Sequence, residues 1–150
     1  MREFATIADY VAEKGKEIGV SDWVLIDQAR VQQFADATGD HQWIHLDPAR
    51  TQKELGMGTI AHGYLTLSLL PYLMGEISTI KSIKRAVNYG SNSVRFTNAV
   101  PVGSKVRARV SLKDAQPKAG GYQFTNEVTV EIEGQERPAM VAETLSIFFE

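Results

Sequence analysis

The sequence predicts an α+β domain in which a curved antiparallel sheet wraps around a long central helix. Three observations predict it. From His62 the chain is apolar around almost the whole helical circumference, through Tyr64, Leu65, Leu67, Leu69, Leu70, Tyr72, Leu73, Met74 and Ile77. A surface helix would carry a polar stripe, so this one reads as buried. Two later stretches alternate with period two. Val106, Ala108, Val110 and Leu112 face one way, as do Tyr122, Phe124, Val128, Val130 and Ile132; that spacing marks strands with one buried face. Finally, helical patterns fill the first half and strand patterns the second, the order expected of an α+β chain.

The elements follow in order. Trp23–Ile26 is a short apolar run after Ser21-Asp22 and reads as a first strand. Residues 28–38 place Val31, Phe34, Ala35 and Thr38 on one helical face, and Gly39 stops that helix. Residues 39–48 lack any period and read as a loop. Asp47 and Pro48 are suited to cap and open a short helix over 48–55. Gly56, Gly58 and Thr59 make a turn. Pro71, inside the apolar helix, removes a backbone donor, so a kink or an end near Leu70 is expected. Residues 102–112 and 122–133 pair as a hairpin around the loop DAQPKAGG. Further strands are expected over 83–89, 93–96 and 140–149.

Composition narrows the function. The chain has 150 residues, about one domain spanning 1–150. Lys and Arg number 16 against 18 Asp and Glu, a formal net charge of −2. That excludes a cationic field spread over the domain, and no basic arm points to nucleic acid. There is no cysteine, so disulfides, thiolate catalysis and cysteine-held metals are excluded. No signal-peptide core opens the chain. A cytoplasmic protein with no membrane partner is expected.

Chemistry concentrates between residues 40 and 63. His41, His45 and His62 fall there with Asp40, Gln42 and Asp47, and histidine is the side chain best poised to move protons near neutral pH. Two readings compete. Asp40 and the three histidines offer a ligand set, but Gly39, Trp43-Ile44 and Pro48 argue against the helix that the His41–His45 spacing would need, so no metal is expected. The other reading pairs Asp40 with His45 as an acid–base dyad around one water. Gly63 opens the buried helix, where free N–H groups and the positive dipole end can receive an oxyanion. The alternative is a plain N-terminal glycine. Gly63→Ala then separates the two, because a β-carbon costs little in ordinary helical geometry.

ATGDHQWIHLDPAR followed by TIAHGYLTLSLLP resembles the signature of the MaoC-like dehydratases, the (R)-specific enoyl-CoA hydratases. NYGSNSVRFTNAVPVGSKVRARV resembles their strands, above all in the nodulation protein N-like branch with a single hot dog domain. The likeness covers residues 18–149. It implies the hot dog fold, and Gly39, Asp40, Ile44 and His45 match the family loop position by position. It also implies that Asp40, His45 and Gly63 carry the reversible addition of water to trans-2-enoyl thioesters. Gln42 stands where the family usually has Asn, and Trp43 where it has Pro. Gln42, His62, Arg85 and Arg95 are the expected substrate contacts, the arginines for phosphates of coenzyme A or acyl carrier protein, with Lys81 and Lys84 nearby. Coenzyme A enters as part of the substrate, and no separate cofactor is implied. Members of this size resemble homodimers with acyl tunnels between subunits. A thioesterase on the same fold, or a non-catalytic acyl-CoA-binding module, are the alternatives. Lys105, Arg107 and Arg109 face Glu127, Glu131 and Glu133 and read as structural.

Overall fold

The main sheet begins where the sequence places the hairpin. The computed structural model describes residues 1–150. Lys105–Lys118 (β6) and Gly121–Ile132 (β7) pair antiparallel, with Val106 opposite Ile132 and Arg107 opposite Glu131. Met140–Phe149 (β8) adds to β7, and Arg85–Arg95 (β5) adds to β8 as the edge. On the other side Glu17–Val20 (β2) and Val24–Leu25 (β3) both pair with β6. Arg2–Phe4 (β1) and Ser78–Ile80 (β4) form a separate parallel ribbon.

The helices are short and capped. Thr6 and Asp9 make a capping box on Ile7–Val11 (α1). Asp27 caps Gln28–Thr38 (α2), which Gly39 ends with φ 81°. Trp43–Leu46 (α3) is a single turn, and Asp47 with Pro48 starts Pro48–Leu55 (α4). The central helix runs as Gly63–Ser68 (α5) and Leu70–Ile77 (α6). Their junction at Leu69 lies two residues before Pro71, so the proline falls in a first turn, where its missing donor costs least. Leu65, Leu69, Leu70, Leu73 and Ile77 pack with Val106, Val110, Leu112, Phe124, Val128 and Ile132 into one core.

Four expectations are corrected. The central helix is not buried all round: Tyr64 and Tyr72 are 67% and 53% exposed, with Ser68, Pro71 and Gly75 beside them. The sheet covers one side of this helix and leaves that stripe open. DAQPKAGG is mostly strand, because a turn at Ala119 (φ 54°) and Gly120 (φ 81°) closes the hairpin. Two consecutive positive φ values match the twist of paired strands. Pro117 is tolerated since β2 meets β6 only around Arg109–Ser111, leaving that end with one neighbour. The strands expected over 83–89 and 93–96 merge into one bulged strand, β5, running Arg85–Arg95, with register shifts after Asn88 and Ser91. The aperiodic stretch 39–48 contains α3. The hairpin charges pair as expected: Arg107 and Arg109 hold Glu131 at 2.6 and 2.9 Å.

Candidate active site

The left-handed turn at Gly39 swings the chain off α2 and delivers Asp40. Asp40 Oδ1 accepts from the Gln42 N–H (3.3 Å), and α3 then presents His45. Two ties lock α3 in place. Gln28 Nε2 donates to the His45 carbonyl (2.7 Å) while its Oε1 accepts from the Thr59 hydroxyl (2.6 Å). The Ile60 N–H donates to the Ile44 carbonyl (3.1 Å). Residues 59–61 in turn lead into His62, the residue just before α5.

Asp40, His45 and His62 thus converge, with ligand-type atoms all within 4.8 Å of one another. The rings of His45 and His62 stack with centroids 3.8 Å apart, and Phe34 backs His62 at 4.9 Å. His45 is 6% exposed and His62 2%, whereas the Asp40 side chain is half exposed. His45 Nδ1 lies 2.7 Å from the Ile60 carbonyl. A carbonyl only accepts, so Nδ1 carries the proton and the neutral ring keeps its lone pair on Nε2. Burial lowers the His45 pKa, with the neighbouring His62 adding to the effect; the Ile60 carbonyl and Asp40 oppose it. A neutral His45 with a free Nε2 is a base.

His62 is placed differently. Its Nε2 donates to the Asp40 carbonyl (2.9 Å), its Nδ1 is buried without a partner, and its side chain is closed to solvent. It holds the backbone of Asp40 and the face of His45. His41 turns away and pairs with Asp36 at 3.1 Å on the surface. The three groups that meet are therefore not the three histidines. A helical turn does form at Trp43–Leu46, but His41 lies before it.

At the start of α5, the first N–H groups have no acceptor within the helix. The Gly63 backbone is tightly overlaid: a β-carbon there would sit 3.0 Å from the Phe96 ring. Phe96 was not legible as a neighbour, since it lies beyond β5 in sequence. Gln42 is exposed, with its N–H on Asp40. Arg85 and Arg95 stand at opposite ends of β5, paired with Phe149 and Val141 of β8; Arg85 stacks on Phe149 and Arg95 adjoins Phe96. Lys81 pairs with Glu3 at 2.8 Å. One chain does not bring these cations together.

A strongly bent antiparallel sheet around one helix, with a carboxylate and a histidine gathered at that helix's N-terminus, defines the hot dog class. Solved structures share the fold: an R-hydratase from Pseudomonas aeruginosa superposes with TM-score 0.76 at 21% identity, covering 92% of this chain and 83% of that one. An (R)-hydratase from A. caviae gives 0.68 at 25% identity, covering 85% and 94%. Residues 9–134 match the MaoC like domain, and the chain belongs to the MaoC-like dehydratase family. It is 51% identical over 146 residues to 3-hydroxyacyl-thioester dehydratase Z of Mycobacterium tuberculosis, covering 97% of both chains. It is also 43% identical over 145 residues to Nodulation protein N of Rhizobium leguminosarum bv. viciae, covering 95% of this chain and 90% of that relative. No helix is long and apolar enough to cross a membrane.

Proposed function

We propose that this hydro-lyase, acting as one hot dog domain over residues 1–150, is an (R)-specific enoyl-CoA hydratase working reversibly as a (3R)-hydroxyacyl-CoA dehydratase. The observation that carries the reading is the facing pair of a half-exposed Asp40 carboxylate and a neutral His45 within 4.8 Å. A water between them would sit at about 2.8 Å from each. In hydration, His45 Nε2 takes a proton as the water oxygen bonds to C3 of the enoyl thioester. The electron pair moves to the thioester oxygen, which the Gly63 N–H receives. The proton taken by His45 passes by way of the Asp40 carboxylate to the α-carbon, so that both groups end the cycle in the state in which they began it. Dehydration runs the same steps backwards. His62 is a positioning residue that acts through Asp40 and His45, and the Gln42 amide is assigned to orienting the water.

No metal takes part in this reading. His45 and His62 each spend one ring nitrogen on a carbonyl. That leaves His45 Nε2 for the water and the buried His62 Nδ1, two nitrogens on stacked rings inclined by 27°. The working form is a homodimer. β5 is an exposed edge strand, and Tyr64, Tyr72 and Phe96 form an exposed aromatic patch. Antiparallel pairing of two β5 strands would also bring Arg85 of the partner subunit towards Arg95, giving the cation pair that one chain lacks.

The test is to supply trans-2-enoyl-CoAs of short and medium length, following both enoyl absorbance and free thiol. The expected result is loss of enoyl absorbance, a (3R)-hydroxyacyl product and no thiol. Thiol release without hydration would make it a thioesterase, and binding without either would make it a carrier module.

A further inference from the structure

One inner position of β7 breaks the apolar pattern of that strand. Along β7 the residues turned to the core are Phe124, Asn126, Val128, Val130 and Ile132. Asn126 is 2% exposed, and its Oδ1 is buried with no hydrogen-bond partner. Its neighbour opposite on β8 is Thr144, which in turn faces Ser91 on β5. In the next row Ser146 of β8 faces Asn88 of β5, and Ser146 Oγ is also buried and unpartnered. Two adjacent cross-strand rows therefore lay a polar band across the inside of a sheet whose purpose is to bury apolar surface.

This band floors a cavity of about 890 Å³ between the sheet and the central helix. The opposite wall is Leu67, Leu70, Pro71 and Met74. Leu67 is four residues beyond Gly63, about 6 Å along the helix, so the cavity begins one turn past the start of α5. Eleven of its 22 lining residues are hydrophobic, which suits a hydrocarbon chain better than the polar arm of the carrier. A plain chain, however, would leave Asn126 and Ser146 dry and unpaired, which costs free energy that a valine or leucine at 126 would avoid. The unpaired amide oxygen needs a donor, and the serine hydroxyl both gives and takes. A ligand hydroxyl meets both demands, whereas a ketone oxygen only accepts.

We infer that the acyl groove selects an enoyl thioester whose chain carries a hydroxyl beyond the reacting carbons, received by Asn126 and Ser146. The inference rests on the acyl-thioester reading above and names its substrate class.

The experiment compares a medium-chain trans-2-enoyl-CoA with analogues bearing one hydroxyl at successive carbons. The native chain should favour one hydroxylated analogue by about tenfold in kcat/KM, the size of one net hydrogen bond. Asn126→Leu should abolish that preference through loss on the hydroxylated substrate, and Ser146→Ala should weaken it; the second variant and the native protein decide the matter if the first does not fold. In parallel, saturated acyl-CoAs with and without the hydroxyl are compared by melting-temperature shift, which needs no turnover. A larger shift with the hydroxylated chain, without hydration of any enoyl-CoA, would keep the groove preference and overturn only the hydratase reading. Equal rates and equal shifts for plain and hydroxylated chains overturn the inference. The same equality is expected if the polar band instead holds the carrier's pantetheine arm, which every analogue shares.

Discussion

His45 is the residue whose titration is most exposed to measurement. Its pKa is lowered from the ordinary histidine value by burial and by His62. The unfolded chain therefore binds this proton first as pH falls. The stability that a neutral His45 contributes is present above the unfolded pKa of about 6.5 and is lost as pH drops below it. The melting temperature should decline through that window, less steeply in His45→Gln, and the acid limb of kcat/KM should lie below pH 6.5. His62→Phe keeps the stack but removes both the bond to the Asp40 carbonyl and the neighbouring imidazole that helps hold the His45 pKa down. It should lower kcat and move the acid limb to higher pH; a limb that stays in place in that variant, with kcat unchanged, would give His62 a packing role only. A burial-induced shift of this kind needs the three-dimensional site. The sequence shows that residues 40–62 hold the histidines, and cannot show that His45 and His62 stack while His41 turns out.

At the scale of elements, Gly63 joins the helix start to β5 through Phe96. The methyl of Gly63→Ala would meet the Phe96 ring at 3.0 Å, so the substitution is not free for the fold. Gly63→Ala should lower the melting temperature by a few degrees and turnover by about 10²- to 10³-fold, as for a lost oxyanion donor. Trimming the ring with Phe96→Leu should restore the melting temperature and leave turnover low. If the double variant recovers activity as well, Gly63 is structural. Elements with strong local signals were legible: α2 from its apolar face and Gly39, α4 after Asp47-Pro48, and the alternating halves of β6 and β7. Long-range pairing was not. Proline and paired glycines in DAQPKAGG signal a loop locally, yet the ladder with β7 overrides them up to Lys118. The exposed stripe on α5 and α6 was hidden because tyrosine reads as apolar in a pattern whether it is buried or not.

For the whole molecule, the unpaired length of β5 and the aromatics beside it argue for a second copy. An eleven-residue exposed edge is a liability unless it is covered. Sedimentation at micromolar concentration should give a dimer, and dilution to monomer should lower specific activity together with the dimer fraction. A monomer with full specific activity would contradict this and would leave Arg85 and Arg95 without a shared role. In the proposed mechanism Asp40 and His45 act as one unit on one water. The most direct measurement is kcat/KM of enoyl-CoA hydration for Asp40→Asn, His45→Gln and the double variant, with the folded fraction of each checked by melting. Each single change is expected to cost about 10²- to 10⁴-fold, and the double change little more than the worse single one, because groups that act together fail together. Either single variant within about threefold of the native rate, well short of the loss expected of a general acid or base, would contradict it.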